Sequence, residues 1–171
     1  TSAPLTIPAG FLIAGMAVAT LIGAALASWA AGPISERIEE KNIPVARVVA
    51  GACLLYAAGL VLAWGLGVWS TGTARENGML LFALISGFAF GVYDSLGLEL
   101  VMDSLPDPRR AGHDLGIYAL ANSAGLALAA IIGALLVNAF EHSFGYYLLF
   151  PSAIVMVLLA GIVTLTTKSA E

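Results

Sequence analysis

Charge is what this sequence has least of. Lys, Arg, Asp and Glu make up 11% of its 171 residues, against 60% hydrophobic residues and a mean hydropathy of +0.94. A water-soluble domain of this size needs a polar surface, and so few charges cannot cover one. The formal net charge is −4, with no basic stripe to follow a nucleic-acid backbone, so nucleic acid is not an expected partner. Cysteine occurs once, at Cys53 in an apolar run, which excludes an internal disulfide and a cysteine metal cluster. Strand-length alternation of polar and apolar residues is missing, and with it the signature of a lipid-exposed barrel. The opening TSAPLTIPAG carries no basic residue, so the run after it does not read as a signal peptide.

Long apolar runs fill the space left by charge. A helix needs about 20 such residues to cross the hydrocarbon core. Five stretches qualify, at about residues 8–31, 44–70, 78–102, 115–139 and 145–167. Backbone polar groups in lipid must be satisfied within the span, which leaves helices. The expected fold class is all-α transmembrane: one membrane domain over residues 1–171, a five-helix bundle whose first partner is the lipid bilayer.

Basic residues orient the spans. Arg37, Lys41 and Arg47 flank the first connection, Arg109 and Arg110 the third, and Lys168 follows the last span. The other side has only Arg75, so six face one. The excess marks the cytoplasmic side and predicts an outside N-terminus and a cytoplasmic C-terminus. Trp69, Tyr146 and Tyr147 then fall at the outer interface, where an aromatic belt is expected.

Small residues crowd several spans, including Gly10, Gly15 and Gly23 in the first and Gly87 and Gly91 in GFAFG of the third. In lipid these let helices approach and gain van der Waals contact, so they signal bundle packing and no particular solute. Pro8, Pro44 and Pro106 stand at span ends, and Pro151 inside the fifth span is expected to kink it.

Three polar residues lie at depth. Asp94 is about eight residues from the inner end of its span, or ~12 Å at the helical rise. It follows Gly87 by seven and Gly91 by three positions, which places it on the small-residue face, looking into the bundle. Asn122, in the fourth span, sits at nearly the same depth. The two meet in one layer if the third and fourth spans pack as an antiparallel pair. Glu99 is about 140° around the helix from Asp94 and one turn from the inner end, near Asp103, Arg109 and Arg110. Ionisable residues inside a membrane are candidates for proton or solute pathways, the alternative being a buried structural hydrogen bond. Asp94, Asn122 and Glu99 are the candidates here. His113 and His142 lie on opposite sides and cannot share a metal, and no phosphate loop or nucleophile–base arrangement is present. No enzyme, cofactor or metal site is expected.

Two segments carry a resemblance. ASWAAGPISERIEEKN resembles the cytoplasmic loop signature of the major facilitator superfamily, with Gly32, Ser35, Glu36 and Arg37 in its places. The usual Gly-Arg-Arg follow-on is replaced by IEEKN, which keeps only Lys41. VMDSLPDPRRAGHDLGIYALANSAG is similar to the loop between the tenth and eleventh helices of actinobacterial relatives of the sugar:cation symporters. Asp103, Leu105, Pro106, Gly112, Asp114, Leu115, Gly116, Ala121 and Asn122 match. Such relatives tend to carry an acid where Gly97 stands and Pro-Gln where SAG follows Asn122.

The resemblance implies helices eight to twelve of twelve. It makes the sequence a piece of a longer chain, the C-terminal part of a secondary transporter in a bacterial plasma membrane. The implied activity is proton- or cation-coupled movement of a small solute, of a sugar-like kind, by alternating access. The implied partner is an N-terminal half. The alternative is a non-transporting scaffold subunit that kept the fold and works with other membrane subunits.

Overall fold

The computed structural model describes residues 8–69, 72–103, 111–139 and 142–166. They form five helices: α1 (Ala9–Lys41), α2 (Val45–Trp69), α3 (Thr73–Asp103), α4 (Ala111–Ala139) and α5 (His142–Thr166). There is no strand among the described residues. Each helix is long and apolar enough to cross a membrane, so the chain has the all-α transmembrane class expected from its apolar runs. Large side chains such as Phe11, Leu21, Trp29, Leu120 and Leu126 are exposed on the helix surfaces, as a lipid solvent requires.

Residues 32–41, expected as a connection, instead continue α1 by nearly three turns. Apart from Gly32 and Pro33, the segment is built of residues that a helix tolerates or favours. Ile34 and Ile38, four apart, share a face and pack on a core cluster containing Val49, Val92 and Leu96. Glu36, Arg37, Glu39, Glu40 and Lys41 remain exposed. The helix stops where Asn42 adopts the left-handed conformation, at φ 52°. Its N–H donates to the Glu39 carbonyl at 3.2 Å, and the Ile43 N–H donates to the Ile38 carbonyl at 3.0 Å. That is a Schellman closure, and Pro44 after it cannot extend the helix. Arg47 N–H already donates to the Pro44 carbonyl at 2.9 Å, so α2 follows a very tight corner.

The principal helix pairings are α1 with α3, α3 with α2, α2 with α5 and α5 with α4. In space the order is therefore α1–α3–α2–α5–α4, with α1 and α4 at the two ends. The α1–α3 contact is made through backbone. A Cβ placed on Gly87 would run into Thr20, its Cα at 2.8 Å, and one on Gly23 would meet the Phe88 nitrogen at 2.7 Å. At Gly91 it would reach Ala27 Cβ at 2.7 Å. Only glycine permits this approach. Across α2 and α5 the same role falls to Gly161, whose added Cβ would stand 3.2 Å from Cys53 Cβ.

α4 is the least embedded helix: none of its described residues is buried. It meets α5, with Leu149 Cδ2 lying 3.6 Å from a Cβ at Gly133. The third and fourth spans thus do not pack as an antiparallel pair. α2 and α5 intervene in the order of contacts, and a cavity separates α3 from α4.

Candidate functional site

That cavity has a volume of about 380 Å³ and takes its lining from two helix faces. From α3 come Phe90, Tyr93 and Asp94; from α4 come Tyr118, Ala121, Asn122, Gly125 and Leu126. The α3 positions are spaced i, i+3, i+4, and Tyr118, Ala121, Asn122 and Gly125 are spaced i, i+3, i+4, i+7, so each set is a single helical stripe. Asp94 and Asn122, 28 residues apart in sequence, therefore meet on one cavity although their helices do not pack together.

The small-residue face of α3 and its acid part company. Gly87 and Gly91 are buried against α1, whereas Asp94, about 60° around the helix from Gly91, is exposed on the cavity. No hydrogen bond or salt bridge engages the Asp94 carboxylate among the described residues. The cavity lining contains one carboxylate, one carboxamide, two phenols and a phenyl ring, with no Lys, Arg or His.

A second, smaller cavity of about 150 Å³ lies between α2, α3 and α5, with Cys53, Tyr56, Val157 and Ala160 in its wall. Phe90 and Tyr93 belong to both cavities and form the partition between them.

Glu99 sits elsewhere. It is half-buried and its Oε2 accepts a hydrogen bond from Ser35 Oγ at 3.4 Å, which joins the signature segment of α1 to the end of α3. Gly32, Glu36 and Arg37, which with Ser35 carry the resemblance to the loop signature, are exposed on the helical extension of α1. Gly112, Asp114 and Gly116 occupy the first turns of α4, where a Cβ on either glycine would meet open space. Asp114 suits the positive end of the helix dipole, and its Oδ1 lies 3.2 Å from His113 Nδ1. Pro106, Arg109 and Arg110 lie outside the described residues, as does the side chain of Asp103.

Sequence reasoning missed the aromatic half of the cavity. Tyr93 was legible as a tyrosine well inside its span, and Tyr118, near the start of its own, as one four residues before Asn122. It also missed Glu76, which is 1% exposed in the first turn of α3. An acid beside Arg75 just before an apolar run reads as a surface cap, and nothing local marks it as buried. No group of three His, Cys, Asp or Glu able to hold a metal exists among the described residues.

The family model of the Major Facilitator Superfamily matches residues 5–171, nearly the whole chain. The chain belongs to the major facilitator superfamily. This is a family of transporters, and membership accords with five apolar, membrane-length helices. No curated protein and no solved structure matches the chain. The superfamily assignment gives an integral membrane protein of transporter type. Within it, the α3–α4 cavity is a place where polar groups from separate spans converge.

Proposed function

We propose that the chain forms the C-terminal part of a secondary transporter that moves a small solute by alternating access, with Asp94 in proton or cation coupling and Asn122 contacting the solute or orienting the acid. The observation that carries this reading is the convergence of Asp94 and Asn122 on one cavity in a chain of the superfamily. Transporter sites are built near mid-membrane where helix repeats face each other. The cavity is open and α4 is exposed along its length, which suits a site that further membrane helices complete. We assign these to an N-terminal half, and take the charge asymmetry of the connections to place the C-terminus on the cytoplasmic side of a bacterial plasma membrane.

Reconstitution tests this directly. Solute uptake into proteoliposomes is expected to respond to an imposed pH or cation gradient and to lose that response in Asp94→Asn. Gradient-driven uptake unchanged in the variant overturns the coupling role. The scaffold reading has no observation in its favour, since a purely structural subunit has no use for polar groups gathered on an open cavity.

A further inference from the structure

We infer that the cavity between α2, α3 and α5 is a binding site for a small aromatic molecule, one ring in size, that reaches it from the bilayer. The binding inference stands on this cavity alone. Its consequence for transport rests on the reading of the α3–α4 cavity given above.

The cavity exists because small side chains meet where three spans converge. Ala52 and Cys53 of α2 and Ala89 of α3 make its floor, and all three are buried. Tyr56, Tyr93 and Val157 stand around them half-buried, and the exposed Phe90 and Ala160 mark the mouth. α2 packs on both α3 and α5, so the wall is assembled from helices already in contact. Gly161 holds the α2–α5 side close, since a Cβ there would stand 3.2 Å from Cys53 Cβ.

Volume and surface together select the occupant. The space is about 150 Å³ and its wall is almost wholly apolar. A water molecule needs two to four polar partners, which this wall does not offer. Left empty, the space forfeits dispersion contacts for every atom around it. An apolar cavity of about this volume takes up a benzene-sized guest. Cys53 lies eight residues beyond Val45, ~12 Å along α2. That depth falls within the hydrocarbon layer, where apolar solutes collect.

Ring chemistry then chooses among hydrocarbons. Tyr56, Phe90 and Tyr93 surround the space with three aromatic rings, and Cys53 adds a sulfur. Aromatic pairs gain from offset or edge-to-face contact beyond the area they bury, and sulfur at a ring edge gains similarly. An alkyl chain collects neither gain. The guest is therefore aromatic rather than the end of a lipid chain.

Phe90 and Tyr93 are also the partition shared with the α3–α4 cavity. A guest packed on one side of these rings limits the positions they can take, because close-packed side chains transmit displacement. It thereby sets the shape of the cavity that Asp94 and Asn122 line. The guest acts on solute binding from behind the partition.

Photolabelling of the full chain in lipid nanodiscs tests this, with phenyl(trifluoromethyl)diazirine as probe and toluene as competitor. Labelling from bulk lipid is not displaced by toluene, so the displaceable fraction reports the cavity. Peptide mass spectrometry is expected to place that fraction on Tyr56, Tyr93 or Val157. It should fall about fivefold or more in Ala160→Leu, which fills the mouth from an exposed position. Ala58→Leu, exposed on α2 outside the cavity, should label as the parent does. Toluene should also raise the melting temperature of the parent relative to Ala160→Leu, which separates a filled cavity from a folding defect. Displaceable labelling that survives in Ala160→Leu overturns the inference, as does labelling spread over the exposed Leu54 and Val61. No displaceable labelling at the cavity overturns it as well, and gives the space to a lipid chain or a further helix. In proteoliposomes, toluene should alter solute uptake by the parent and not by Ala160→Leu. Labelling at the cavity with equal uptake effects in the two removes the action on transport and leaves the site. No gradient-driven uptake by either removes the transporter reading alone.

Discussion

Ser35 on the helical extension of α1 donates a hydrogen bond to Glu99 near the end of α3, with 3.4 Å between Ser35 Oγ and Glu99 Oε2. The bond ties the segment that resembles the superfamily's loop signature to an acid of the third span. It also explains Glu99 without a place on the solute path. The distance lies beyond the optimum for such a bond, so its contribution is expected at the low end of the usual ~0.5–1.5 kcal/mol. Glu99→Gln is therefore predicted to lower thermal stability only slightly and to leave gradient-driven uptake above half of the parent. A loss of coupling equal to that of Asp94→Asn would move Glu99 onto the proton path.

The backbone contact of α1 with α3 predicts a sharp contrast among glycines. A Cβ at Gly87 collides with main chain of Thr20, which cannot swing aside. Gly87→Ala is expected to destabilise by about 1–3 kcal/mol, the usual range for overpacking. Gly51, in the second turn of α2, has nothing within 4 Å of an added Cβ. Gly51→Ala should be neutral or stabilising by up to ~1 kcal/mol, because alanine is the better helix former. Thermal unfolding of the two variants in nanodiscs compares them directly.

Asn42 closes α1 with φ 52°. Asparagine and glycine accept this left-handed geometry, whereas a β-branched residue does not. Asn42→Gly is predicted to melt with the parent, and Asn42→Val to lose about 1–2 kcal/mol of stability. An unchanged melting temperature in Asn42→Val would mean that this corner does not limit stability.

Asn122 shares the cavity with Asp94 but bears no charge. Asn122→Ala is predicted to raise the solute concentration needed for half-maximal uptake by about fivefold to tenfold, the worth of one lost hydrogen bond, while the response to the gradient persists. Abolition of the gradient response with unchanged solute affinity would assign Asn122 to the proton path instead.

The orientation inferred from basic residues is open to accessibility labelling. In a background where Cys53 is replaced by Ala, Lys41→Cys should react with a membrane-impermeant maleimide only after permeabilisation, and Arg75→Cys in intact cells. The reverse pattern would invert the bundle. Cys53 itself is buried against Gly161 and should label poorly even before it is removed.

The fold class was legible because lipid as solvent writes itself into composition. Apolar runs long enough to span, almost without charge, have one way to satisfy their backbone. Helix ends were less legible. The charged segment 32–41 looks like a connection by polarity, yet Ile34 and Ile38 give it an apolar face that pulls it onto the core. The superfamily resemblance lay in short motifs, and the family match spans the chain that carries them.

By itself the sequence determined five helices of membrane-spanning length and carried the expectation that Asp94 and Asn122 stand at depth, with Glu99 a turn from the inner end. It put the glycines of α3 on one stripe, since that follows from helical period alone. The tertiary structure decided what those stripes face. Gly87 and Gly91 meet α1 at backbone distance, Asp94 turns to a cavity with Asn122 and two tyrosines, and Glu99 meets Ser35. Period fixes which residues share a face of one helix, but the partner of that face depends on the order of helices in space. Here that order runs α1–α3–α2–α5–α4, set by where small residues let backbones touch, and it leaves α3 and α4 apart with a space between them.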